Sequence, residues 1–179
     1  MRKTTFIISV VMLLMVGFAC QQSNKAAAKL STMESIKQLE DSLFNANTNA
    51  LDKKKANELS RLYEQWAVEN PADEKASDYL LKAADVAMNL NNPRRSIGLF
   101  DQILTNYPQS KNASTALFLK AFVYDDQMHD FENAGKFYNE FLEKYPESPF
   151  ANDAHASLLN LGKTPEELVK EFEKNNANK

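Results

Sequence analysis

The stretch YPQSKNASTA at Tyr107–Ala116 is written a second time, as YPESPFANDA, at Tyr145–Ala154. Both read Tyr-Pro-x-Ser, both place alanines five and eight residues after the proline, and they stand 38 residues apart. A phrase repeated at that spacing marks an array of small units, none of which can bury its apolar face alone. Stacking supplies the missing partner, so the repeat decides architecture before any other feature does.

The units are helical. Proline stands at Asn70-Pro71, Asn92-Pro93, Tyr107-Pro108, Ser148-Pro149 and Thr164-Pro165, each a place where one helix ends or the next begins. Its missing N–H costs nothing in a first turn. Asp130 suits an N-cap before Phe131, and Gly162 suits the position just past a helix end. Ser31-Thr-Met-Glu34 and Thr164-Pro-Glu-Glu167 both read as capping boxes. The first opens a helix carrying Ile36, Leu39, Leu43 and Phe44, broken at Asn45–Asn49; the second opens a last helix with Leu168 and Phe172. A further helix runs to Glu69 with Leu59, Leu62, Tyr63, Trp66 and Ala67 on one face, and Trp66 falls in the core register. About eight helices and no strand pattern give an all-α fold. With 44% apolar and 25% charged residues the chain has the composition of a folded domain.

Counting back eight residues from Pro71, Pro108 and Pro146 gives Tyr63, Phe100 and Tyr138; four residues earlier lie Leu59, Ser96 and Ala134. The partner helices read Tyr79-x2-Lys82-Ala83-x2-Val86 and Leu117-x2-Lys120-Ala121-x2-Tyr124. Small residues let paired helices approach, and aromatics fill the space between them. This pattern resembles the tetratricopeptide repeat (TPR) over roughly residues 54–161. It departs in placing Lys82 and Lys120 where the repeat has leucine, and in a period of 37–38 residues. The resemblance implies a superhelix of about three helix pairs plus a C-terminal helix over 31–179. It also implies a groove lined by the first helix of each pair. Carried over, the groove positions are Leu80, Ala84 and Met88, then Thr115, Phe118, Phe122, Asp125 and Asp126. Phe118 and Phe122 admit two readings: an aromatic anchor for a partner beside an acidic rim, or rings packed on neighbouring helices.

The leader MRKTTFIISVVMLLMVGFAC carries Arg2 and Lys3, then an uncharged run from Thr4 to Ala19. That run is shorter than the ~20 apolar residues of a membrane span and fits a secretory signal over 1–19. The alternative is a short transmembrane anchor. Cys20 is the only cysteine, so no internal disulfide is available. VGFAC resembles a relaxed bacterial lipobox of the Bacteroidota kind, with Val16 four residues before Cys20. The resemblance implies diacylglycerol (and palmitate) at Cys20, and, with Gln21, Gln22 and Ser23 following, delivery to the outer membrane. Residues 20–30 then form a lipidated tether reaching at most ~35 Å.

Chemistry is sparse. Without Arg2 and Lys3, 19 basic residues face 24 acidic ones, which argues against nucleic acid as partner and leaves the lipid as the membrane contact. Gly98, Gly135 and Gly162 build no phosphate loop, and no nucleophile–base set or cofactor motif is present. No enzyme activity, cofactor or small-molecule substrate is expected. Within YDDQMHD, Asp125 with His129 and Asp126 with Asp130 have the i,i+4 spacing of a divalent-cation site. The competing reading is a solvated turn capped by Asp130. The basic LDKKKAN at Leu51–Asn57 reads as a solvated helix start, and His155 as a helix-surface residue.

The YP-x-S phrase is similar to that of the TPR lipoproteins of Gram-negative envelopes, such as BamD of β-barrel assembly and the Tol–Pal-associated CpoB. That resemblance implies a non-catalytic protein-interaction scaffold on the periplasmic face of the outer membrane, with envelope proteins as partners. Its alternatives are a BamD-like component of outer-membrane protein assembly and an accessory subunit of an envelope enzyme or uptake system.

Overall fold

The computed structural model describes residues 29–43 and 52–177, and those residues hold eight helices and no strand. Cys20, the signal and most of the tether, and the Asn45–Asn49 break lie outside them. Two compact units divide the chain, Met1–Lys55 and Ala56–Lys179.

In the first unit, helix α1 covers 29–43. Its start corrects the sequence reading. Ser31 is inside the helix rather than its N-cap, and its carbonyl accepts a bond from the Ser35 hydroxyl at 3.0 Å. Lysine and leucine upstream are better helix formers than the cap is a stop, so the helix runs through it. Helix α2, Lys53–Glu69, belongs to the second unit from Ala56 onward and is capped by Asp52, whose Oδ1 accepts from the N–H groups of Lys54 and Lys55 at 3.1 Å each. The basic cluster is therefore a capped helix start.

The second unit continues with α3 (Ala76–Asn89), α4 (Pro93–Asn106), α5 (Ala113–Phe122), α6 (Phe131–Lys144), α7 (Ala151–Asn160) and α8 (Pro165–Ala177). The repeated phrase is now explained by the turns it writes. Asp73, Ser110 and Ser148 each donate their N–H to the carbonyl three residues back, at 3.0 Å from Asn70, Tyr107 and Tyr145. The same three residues then accept from Ala76, Ala113 and Ala151 at 2.9–3.1 Å. Two tight turns in series carry the chain from one pair to the next. Proline at the second position fits the fixed φ such a turn requires, and a short polar residue suits its corner. Asp73 Oδ1 and Ser148 Oγ accept from the N–H two residues on, at 3.0 and 3.4 Å.

The core follows the repeat register. Trp66, Ala83, Ser96, Phe100, Ile103, Ala121, Ala134, Tyr138 and Phe141 are all buried. Tyr63 stacks on Tyr79 at 5.5 Å, joining α2 to α3, and Ser60 donates to the Ala83 carbonyl at 3.0 Å. A second set of contacts links elements one repeat apart. Asn112 at the start of α5 donates to Ser77 on α3 at 3.0 Å, and Gln127 donates to the Met88 carbonyl at 3.1 Å. So α3 and α5 lie side by side and run the same way. Arg95 on α4 pairs with Glu64 on α2 at 2.8 Å, which sets those two second helices side by side as well. The unit is a stack of helix pairs in two layers, as the repeat requires.

One departure has a local cause. Helix α4 begins 17 residues after α3, whereas α6 begins 18 after α5. The extra residue is taken up by a wide turn at Val123–Gln127, where Met128 N–H reaches back five residues to the Val123 carbonyl at 3.1 Å. The chain then reverses through His129 in the left-handed region, φ +51°, as Asn91 does at φ +55° in the pair before. Asparagine tolerates that conformation better than histidine. His129→Asn should therefore raise stability by roughly 0.5–1 kcal/mol in urea unfolding, less the loss of its ring contact to the Asp125 carbonyl. Asp130 then caps α6, accepting from Asn133 N–H at 3.1 Å. Gly162 takes φ +72° past α7, and Thr164 and Glu167 form the expected reciprocal capping box at 2.8 and 3.2 Å.

Candidate functional site

The groove positions come from α3 and α5, and the structure sorts them. Phe118 belongs to the core. It is 8% exposed, stacks on Phe150 at 4.8 Å, and meets Phe141 and Tyr138 at 5.5 and 5.9 Å. Its ring holds α5 to α6 and to the entry of α7, so it is packed rather than offered to a partner. Ala84 and Leu80 are buried too, and Leu80 lies at the base of a cleft of about 570 Å³. Met88, Thr115, Phe122 and Asp125 are half-buried, and Asp126 is exposed. Of the groove positions, those that remain accessible are one methionine, one threonine and one phenylalanine, ending in two aspartates.

That acidic end is shaped by the wide turn after α5. Asp125 Oδ2 accepts from the Tyr138 hydroxyl at 3.4 Å, and its backbone carbonyl lies 3.2 Å from His129 Nδ1. Burial pushes the Asp125 carboxyl above its ordinary value, against the Tyr138 bond, and the neighbouring Asp126 adds to the rise. Burial likewise pushes the Tyr138 hydroxyl up to about 12. The i,i+4 cation geometry does not form. Asp130 is turned to its capping bond, and among the described residues no group of three or more ligand side chains could hold a metal ion.

The raised Asp125 carboxyl has a pH consequence. An acid with a raised folded value keeps its proton in the native state after the unfolded chain has lost it. Stability therefore falls as pH rises from about 4, the ordinary aspartate value, through the raised one. Asp125→Asn keeps an acceptor for Tyr138 and removes that penalty. Its melting temperature should exceed wild type at pH 7 and converge on it below pH 4, read by thermal circular dichroism.

Sequence reasoning did not foresee how Lys120 is used. It stands at a leucine position, its side chain is 10% exposed, and Nζ pairs with Asp101 Oδ1 at 2.6 Å. The same ammonium sits 3.8 Å over the Phe137 ring, on which Tyr124 stacks at 5.4 Å. Lys120 thus ties α4, α5 and α6 together from inside. The sequence signal was the departure itself, a lysine in an apolar register. Lys82, at the equivalent place, is exposed and lies over Tyr63 and Tyr79 at 5.3 and 5.6 Å.

The geometry contains a stacked array, an accessible face with an acidic end and no assembled reactive group among the described residues. One family model matches it, YfiO, described as an outer membrane lipoprotein, over residues 37–164. No curated protein and no solved structure matches the chain. The matched span takes in both copies of the repeated phrase and every groove position. On that match, the chain belongs to the YfiO family of outer membrane lipoproteins.

Proposed function

We propose that this protein is a non-catalytic interaction scaffold, held by lipid at Cys20 on the periplasmic face of the outer membrane. Its partner, a peptide or helix of another envelope protein, docks on the α3–α5 face at Met88, Thr115, Phe122, Asp125 and Asp126. The observation that carries this reading is the family match over an array whose first helices lie side by side and leave Met88, Thr115 and Phe122 half-buried and Asp126 exposed. Phe122 supplies an aromatic contact, and Asp126 an acidic rim that favours a basic residue in the partner. A role in outer-membrane protein assembly is a second reading, favoured by the BamD-like repeat style and by the family.

Recovery of the protein from detergent-extracted membranes, with its companions identified by mass spectrometry, tests both. Partners from the barrel-assembly machinery select the second reading, and other envelope proteins select the general one. Loss of all companions on washing at physiological salt contradicts the scaffold. The anchor has its own test. The protein should begin at an acylated Cys20, and Cys20→Ala should leave it unprocessed and release it from the acyl-anchored fraction. A mature form starting elsewhere would sink that part of the account.

A further inference from the structure

We infer that the cleft above Leu80, on the edge of the stack where successive pairs join, is a second binding site, and that it takes an extended, uncharged peptide segment. The cleft holds about 570 Å³, within the range of ligand-binding pockets. It lies between the end of α2, the turn at Pro71 and the end of α4, away from the acidic end of the α3–α5 face.

Three features select the occupant. Its base is apolar, with Leu80 only 2% exposed, while Val68 stands on α2 beside it at 65% exposed. That combination suits one apolar side chain inserted from outside. Around it stand Thr105, Asn106 and the Tyr107 hydroxyl, whose side chains have no hydrogen-bond partner among the described residues. Free amide and hydroxyl groups match the unpaired N–H and C=O of an extended backbone. A helix, with its backbone bonds already made internally, would leave them uncovered. None of the lining residues is charged, so a charged side chain would lose water there and gain no counter-ion. Burial raises the Tyr107 hydroxyl above its ordinary value.

The next repeat supplies an internal comparison. A second cleft, at the Tyr145–Pro149 turn, shares with the first only the two positions that end the helix before a Tyr-Pro turn; it is smaller, about 360 Å³, and is bordered by Lys144 and Glu147. The first cleft is therefore neutral and the second, smaller one charged. Binding of an uncharged segment belongs to the first.

The test uses the full chain, labelled with nitrogen-15 in detergent micelles, titrated with the capped peptide acetyl-Thr-Ser-Leu-Ser-Thr-amide. Saturable amide shifts are expected at Val68, Leu80 and Thr105–Tyr107, with at least tenfold weaker binding of the same peptide carrying Asp for Leu. Val68→Glu charges the wall and Thr105→Trp fills the opening. Both positions are exposed, and each variant should keep its helical spectrum and bind at least tenfold more weakly. If one variant loses that spectrum, the other decides. The inference is overturned by the absence of saturable shifts at millimolar peptide, by shifts centred on Tyr145–Pro149 or on Phe122 and Asp126, or by equal affinity for the Asp-containing peptide. Undiminished binding to a folded Val68→Glu or Thr105→Trp protein overturns it as well.

Discussion

Replacing Phe100 or Tyr138 with alanine should remove about 3–5 kcal/mol of stability, the usual cost of emptying a buried aromatic site. Both residues are fully buried at the same repeat position, eight residues before the proline of their turn. Tyr138 lies in one cluster with Leu117, Phe118 and Ala121 of α5, Phe141 of α6 and Ala154 of α7, and the small residues one turn earlier, Ser96 and Ala134, are themselves fully buried and too short to fill a cavity. Tyr138 also donates to Asp125, so Tyr138→Phe separates the two contributions. It should cost about 1–2 kcal/mol, since the hydroxyl's bonds to Asp125, long at 3.4 Å, and to Ser157 are lost while the ring stays. Urea unfolding followed by circular dichroism reads all three. A loss below ~1 kcal/mol for both alanine variants would mean that the repeat register is wrong.

The second large effect is expected at Asp101. Its removal by Asp101→Ala leaves the Lys120 ammonium inside the stack with only the Phe137 ring for company. A buried pair broken from one side costs several kcal/mol. Because Asp101 is itself 49% exposed and water can reach the gap, about 1–3 kcal/mol is expected here. Lys120→Leu should behave oppositely. It removes the charge together with its need for a partner and restores the apolar residue that the repeat carries, so stability should change by less than about 1 kcal/mol in either direction. The double variant should then resemble Lys120→Leu alone. Equal, additive losses in both single variants would show that the pair is not coupled.

The contrast between those sites shows which features are local. The Tyr-Pro-x-Ser turns were legible because each depends on hydrogen bonds three residues apart and on the fixed φ of proline, both written in adjacent letters. The buried aromatics were legible through the repeat register, and even the one-residue surplus was visible as a period of 38 where the preceding one is 37. That the surplus becomes a wide turn at Val123–Gln127 was not, because a helix can absorb an extra residue anywhere along its length. Phe118 shows the limit for the candidate site. By helical spacing it falls in line with Phe122, and Tyr138, Phe141 and Phe150, 20 to 32 residues on, turn it into core. Lys120 depends in the same way on Asp101, 19 residues earlier. Ser31 failed for a different reason: a capping pattern competes with the helix propensity of the residues before it, and here propensity prevailed.

The scaffold reading rests on which face meets a partner, and photo-cross-linking in intact cells addresses that face directly. A photoreactive residue at Phe122 or Asp126 should yield an adduct with an envelope protein, and the same probe at the exposed Glu132 or Asn139 of α6 should yield none. Adducts from α6 alone, or none from either face in cells that carry the lipidated protein, would contradict the account.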